Sequence, residues 1–201
     1  MVVHMDIQDT PSSFEGRLLI GATGSAAVAM LPMYIGALRS VFRGSITVLM
    51  TRTATTFLPA HTVGLFADRV VTGEEAATWP RENHATLAAG HDLTVILPAT
   101  ANTLSVIASG AAPNMLTTTV LAATHPVAFF PVMTGEMWGK PAVQRNVAWL
   151  REDGYHVYDP ASGPRYDVVT GEFIDSPQPP PPPRFIEIVR RLMAGNDASG
   201  V

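Results

Sequence analysis

The sequence predicts an α/β fold, a doubly wound parallel sheet of the Rossmann-like, flavodoxin-like kind, in a single domain. Short β-branched apolar runs recur along the chain, a turn rich in Gly, Thr or Pro follows each, and helical stretches separate them. At 201 residues the chain has the length of one domain and can bury a sizeable core.

Arg17-Leu18-Leu19-Ile20 reads as the first strand, and Gly21-Ala22-Thr23-Gly24-Ser25 leads it into an Ala-rich helix from Ala26 to Arg39. Ser45 to Met50 is a second strand, followed by the Thr-rich turn 51–57 that starts another helix. Residues 63–89 are less regular, with a turn at Trp79-Pro80 and a short helix around 85–88. Leu93 to Leu97 is the third strand, ended by Pro98. Helices over 104–111 and 114–122, separated by Pro113, precede a fourth strand, 127–130, running into Pro131. A helix over 142–151 and a short final strand, 155–158, complete the alternation.

The expected organisation is a polar leader over 1–16, the main domain over 17–158, a flexible segment with a polyproline spacer over 159–183, and a C-terminal helix and tail over 184–201. Five consecutive prolines, 179–183, are expected to hold the last helix, 185–193, away from the loop before it.

Only 15% of the residues are charged, which points to surface buried in a homo-oligomer. A net charge of −4 lacks the basic excess that nucleic acid requires. With no Cys there is no disulfide, thiolate metal site or cysteine nucleophile, and no H-x-x-x-H pair suggests a metal. The most apolar stretch, 115–133, is interrupted by Thr, His and Pro, so no membrane partner is expected, and without a secretory signal the expected location is the cytoplasm.

Four turns stand at carboxyl ends of strands, where open α/β sheets bind ligands. In the first, Gly24 and Ser25 could hold a phosphate at a helix start, or form only a tight turn; the spacing is not that of G-x-G-x-x-G. The second carries Thr51, Thr53, Thr55 and Thr56, of which helix capping would explain one, and Arg52, readable as an NADP 2′-phosphate contact. The third is Pro98-Ala99-Thr100-Ala101-Asn102-Thr103, and the fourth runs from Pro131 through Met133, Thr134 and Met137 to Trp138. Among six His residues, His84 and His91 precede the third strand and are the candidates for a general base.

Taken in order, these segments resemble the homo-oligomeric flavin-containing cysteine decarboxylases, which include peptidyl-cysteine decarboxylases of lanthipeptide biosynthesis and phosphopantothenoylcysteine decarboxylases. The likeness runs over about residues 17–160. Residues 98–103 are similar to the family motif P-A-S-A-N-T, and residues 131–138 to P-x-M-N-x-x-M-W, with Thr134 in place of Asn. The resemblance implies a flavin, FMN or FAD, held by Gly24, Ser25, Thr51, Thr53, Phe57, Ala99, Thr100, Asn102 and Thr103. It implies catalysis by His84 as base and Thr134, with Met133, Thr134, Met137, Trp138 and Tyr166 binding substrate. Residues 159–177 take the place of a substrate clamp, and trimers assembled into a dodecamer are implied.

In the coenzyme A branch, a flap cysteine helps to reduce the enethiol. This chain has none, which aligns it with the oxidative branch. The implied reaction takes a hydride from Cβ of the C-terminal Cys of a precursor peptide, creating a thioaldehyde β to the carboxylate. The electron pair left by CO₂ then delocalises into sulfur, and the aminoenethiol leads to aminovinyl-cysteine. The alternatives are a flavin prenyltransferase-like enzyme, disfavoured by the absence of Arg in 124–131, and a non-catalytic flavoprotein or regulatory subunit.

Overall fold

The computed structural model describes residues 13–73 and 82–195. Trp79-Pro80 lies outside the described residues, as do most of the leader and the tail beyond residue 195.

Six strands form one parallel sheet: β1 (Arg17–Ala22), β2 (Ser45–Met50), β3 (Arg69–Val71), β4 (Leu93–Ala99), β5 (Val127–Pro131) and β6 (His156–Val157). Their order is β3-β2-β1-β4-β5-β6. Chain direction across the sheet reverses between β1 and β4, so the crevice outside their carboxyl ends is the switch point of a doubly wound fold. Without the three-residue edge strand β3 the order is that of flavodoxin.

Helices cover both faces: α1 (Leu31–Arg39), α2 (Arg52–Phe57), α3 (Ala60–Val63), α4 (His84–Ala89), α5 (Ala101–Ala108), α6 (Met115–Ala122), α7 (Gly135–Trp138), α8 (Pro141–Glu152) and α9 (Pro182–Met193). The helix expected over 26–39 divides into a 3₁₀ turn, Ala26–Met30, and α1. Pro32 stands in the first turn of α1, where its missing N–H costs nothing. The four longest strands of the parallel sheet are buried on both faces, which is why they read as continuous apolar runs. Alternation along β1 sends Leu18 and Ile20 into the core beneath α1 and α9, and Leu19 into the core beneath α4 to α8.

The C-terminal helix packs on the domain: α9 buries Phe185, Ile188, Val189 and Leu192, one face at i, i+3, i+4 and i+7, against α1. Tyr34 Oη donates to the Pro180 carbonyl at 2.7 Å, tying the proline run down as well. The end of the leader also packs against the core, where partly buried Phe14 bridges to Phe42 beside β1 and lies on its ring at 5.0 Å.

The segment expected as a flexible clamp contains an antiparallel hairpin, β7 (Ala161–Asp167) and β8 (Glu172–Gln178), in full register from Ala161 opposite Gln178 to Asp167 opposite Glu172. Asp167 Oδ1 accepts from the N–H groups of Val169 (2.8 Å) and Thr170 (3.2 Å), closing the turn. Among the described residues no helix is long and apolar enough to cross a membrane, and no group of metal-ligating side chains is found.

Candidate active site

The turns after β1, β2, β4 and β5 converge at the switch point on a cavity of about 890 Å³, which the β7–β8 hairpin borders. That size is in the range of sites for cofactors and small molecules. Its polar lining is mainly hydroxyl and carboxamide: Ser25, Thr51, Thr53, Thr100, Asn102 and Thr103 face it, with Asn114 from the start of α6. Among the described residues no carboxylate lines it.

Local chemistry fixes this rim. Thr23, 1% exposed, donates its hydroxyl to the Pro98 carbonyl at 2.7 Å and accepts from the Thr100 N–H at 3.2 Å, clamping the turn after β1 to the turn after β4. Ser25 caps the 3₁₀ turn, Thr51 caps α2 and Thr100 caps α5, each accepting from a backbone N–H at 3.3 Å. Gly24 packs directly on Thr53, where a Cβ would collide with the threonine side chain. The two turns can approach only because residue 24 has no side chain.

Most of the expected cofactor contacts are therefore together: Gly24, Ser25, Thr51, Thr53, Thr100, Asn102 and Thr103 all line the cavity. Phe57 and Ala99 do not. Phe57 points outward at the end of α2, 52% exposed, and Ala99 is sealed in the core at the end of β4. Within the Thr-rich turn, Thr55 and Thr56 donate back to the carbonyls of Arg52 and Thr53 and are spent on their own helix.

On the substrate side, Met133, Thr134 and Met137 reach the cavity. Trp138 instead packs against the core beneath α8, because one step around α7 turns it away from its neighbour Met137. Tyr166 does not line the cavity either. It lies on the outer face of the hairpin, paired edge-on with Phe173 at 5.5 Å, while Arg165, on the other face, lines the cavity. Sequence reading missed Arg165, Ser176 and Gln178, which all come from the hairpin.

His84 opens α4, exposed, beside the capping residue Asn83. It lines a second cavity of about 590 Å³ rather than the first. The two adjoin, since Thr51 and Asn114 line both. His91 does not belong to the site. It sits at the amino end of β4, across the sheet from the cavity, with Nδ1–H donating to the Leu87 carbonyl at 2.6 Å. Burial pushes its imidazole below the ordinary range, against the opposing effect of that carbonyl. His125, nearby, is likewise pushed down by burial, with Nε2 2.7 Å from the Thr94 hydroxyl.

The residues present suit a flavin nucleotide: a cradle kept open by Gly24, hydroxyl and amide donors for phosphate and polyol, no repelling carboxylate, and methionines for an apolar ring.

The Flavoprotein family model matches residues 8–176. Mersacidin decarboxylase of Bacillus sp. (strain HIL-Y85/54728) is 40% identical over 155 residues, 77% of this chain and 79% of its own. Epidermin decarboxylase of Staphylococcus epidermidis is 31% identical over 158 residues, 79% of this chain and 85% of its own. Among solved structures, a variant of EpiD in complex with the substrate peptide DSYTC superposes with a TM-score of 0.78 at 29% identity, covering 90% of this chain and 99% of that one. The fold, the match over most of the length and these identities agree: the chain belongs to the flavoprotein family, among its lanthipeptide peptidyl-cysteine decarboxylases.

Proposed function

We propose that this protein oxidatively decarboxylates the C-terminal Cys of a ribosomal, lanthipeptide-type precursor peptide, giving an aminoenethiol that leads to aminovinyl-cysteine. The observation that carries the reading is the switch-point cavity, where a cradle of hydroxyls meets an apolar methionine wall beneath a hairpin. Similarity to the mersacidin and epidermin decarboxylases supports it.

A bound flavin supplies the two-electron acceptor for oxidation of the Cys Cβ, a capacity no side chain has. The protein's own work is placement. Ser25, Thr51, Thr53, Thr100, Asn102 and Thr103 hold the cofactor through hydroxyl, amide and backbone N–H donors, with Gly24 admitting it between the turns. Met133 and Met137 give the Cys side chain an apolar wall, and the hairpin limits water. His84 is assigned the thiol proton, an imidazole being the side chain suited to general-base work. Its cavity adjoins the first through Thr51 and Asn114. Thr134 positions the turn that carries Met133 and Met137, capping α7 through the Met137 N–H.

A homo-oligomer, built from trimers, is part of this reading. It is supported by the low charge and by exposed Met30, Met33, Phe57, Leu65 and Phe66 on successive elements. The test is purification followed by mass spectrometry of the released cofactor, native mass determination, and incubation with the co-encoded peptide. A product lighter by CO₂ and two hydrogens is expected. An unaltered peptide in the presence of flavin-loaded protein refutes the reading.

A further inference from the structure

Arg165 is the one formally charged residue among those lining the main cavity. It projects from β7, on the same face as Gly163 and opposite Ile174 of β8, whereas its neighbour Tyr166 faces away. Its Nε is buried and has no hydrogen-bond partner. The nearest carboxylate oxygen is Asp167 Oδ2, 3.8 Å from a terminal nitrogen and beyond hydrogen-bond reach, while Asp167 Oδ1 is occupied in closing the hairpin turn. The buried Nε is thus held at the cavity wall with its donor unspent, which is costly unless a ligand takes it up, while the side chain, 41% exposed, keeps its terminal nitrogens accessible.

The other polar group on that side is not available for the same task. The Thr134 hydroxyl accepts from the Met137 N–H at 3.4 Å and is hydrogen-bonded to the Glu136 carboxylate. Both of its roles are committed to the α7 turn. A peptide ending in Cys brings one anionic group wherever its upstream sequence differs: the terminal α-carboxylate. The planar fork of an arginine matches a carboxylate with two parallel donors.

We infer that Arg165 is a specificity-determining residue that binds the terminal carboxylate of the substrate peptide, and so makes the hairpin the element that measures where the peptide ends. The inference rests on the proposed decarboxylase reading. The contact forms in the ground state and must be released as CO₂ departs, so its loss raises KM with a smaller effect on kcat. Because the residue lies on the hairpin and not in the hydroxyl cradle, its replacement leaves flavin in place.

The test uses flavin-loaded, full-length protein and two fluorescent pentapeptides, Asp-Ser-Tyr-Thr-Ser as the free acid and as the C-terminal amide. Neither has a thiol to oxidise, so anisotropy reads binding alone. Wild-type protein should prefer the acid by about ten- to a hundredfold, the scale of a hydrogen bond to a charged group. Arg165→Met should bring the acid down to the affinity of the amide, and Arg165→Lys should recover part of the preference. Flavin content and melting temperature, measured on each variant, should match wild type. An acid-to-amide ratio unchanged by Arg165→Met overturns the inference while leaving the decarboxylase reading intact, and so does loss of flavin from that variant, which would assign Arg165 to the cofactor. Wild-type protein that binds neither peptide and turns over no Cys-terminated peptide overturns both.

Discussion

Thr23 is where the site and the stability of the fold meet. Its hydroxyl, shut away from solvent, bonds the Pro98 carbonyl and the Thr100 N–H and so joins the two turns on either side of the switch point. Thr23→Val keeps the shape of the side chain and removes both bonds, leaving one acceptor and one donor without a partner. Each such group costs about 1–3 kcal/mol, so the pair costs about 2–6 kcal/mol. For a chain of this size, where 1 kcal/mol moves the melting temperature by about 2–4 °C, the expected drop is about 4–24 °C. Thr23→Ser, which keeps the hydroxyl and gives up one methyl, should cost only about 1 kcal/mol.

The same clamp sets the spacing of Ser25 and Thr100, both of which face the cavity, so Thr23→Val should also weaken flavin binding. Circular dichroism melts of the apo and flavin-loaded forms, with flavin titration by fluorescence quenching, measure both effects. The flavin-loaded form should lose more than the apo form, because weaker binding removes part of the ligand's stabilisation. A Val variant melting within about 2 °C of wild type, or a Ser variant as damaged as the Val variant, would show that the two bonds do not hold the turns together.

Gly24→Ala drives a Cβ into both Cγ2 and Cβ of Thr53 and should release flavin, read as loss of visible absorbance on desalting, and the double variant Gly24→Ala, Thr53→Ser, which removes only Cγ2 and keeps the colliding Cβ, should not restore it. His84→Asn should retain flavin and lose peptide turnover by about a hundredfold or more, whereas His91→Gln, altered at the far end of β4, should keep turnover; equal turnover in the two variants would remove His84 from the reaction. Burial holds His91 and His125 below the ordinary imidazole range, so the unfolded chain binds more protons than the folded one as pH falls below about 6.5. Their contribution to stability is complete above that pH and is lost on acidification toward the folded-state values, so the melting temperature should fall between pH 7.5 and pH 5.5, about two units. Asp68 and Asp92 have carboxyls held below the usual range by Arg39 and Arg17, and therefore titrate below this window; His91→Gln should flatten the slope.

What could be read from sequence was whatever burial writes into composition. Strands covered on both faces must be apolar throughout, and the four longest of the parallel sheet were legible at nearly their observed bounds. The edge strand Arg69–Val71 has three residues and one partner, too little to impose a pattern, and α7 is a single turn. The site was legible where its residues cap helices, because a hydroxyl at a strand's carboxyl end has both a structural and a binding use. It failed at Phe57, Ala99 and Trp138, whose neighbours line the cavity but whose own side chains point elsewhere. Motif spacing locates a turn, and the phase of the helix or strand decides which of its side chains turn inward.

The hairpin shows that limit most sharply. Its strands, ASGPRYD and EFIDSPQ, carry Pro, Gly and Asp and almost no β-branched residue, so nothing local marks them as β structure. Their pairing is set by the Asp167 turn, which is local but closes only two residues beyond the strand, and by cover from the cavity side, which is tertiary. Once pairing exists, period-two alternation assigns Arg165 and Tyr166 to opposite faces, and a slip of one residue would exchange them. An aromatic residue is the natural first guess for a clamp, yet the parity of the strand puts the charge inside and the Tyr166–Phe173 pair outside. The consequence is chemical: an aromatic wall would hold any apolar chain end, whereas a guanidinium there selects a peptide by the carboxylate it is about to lose.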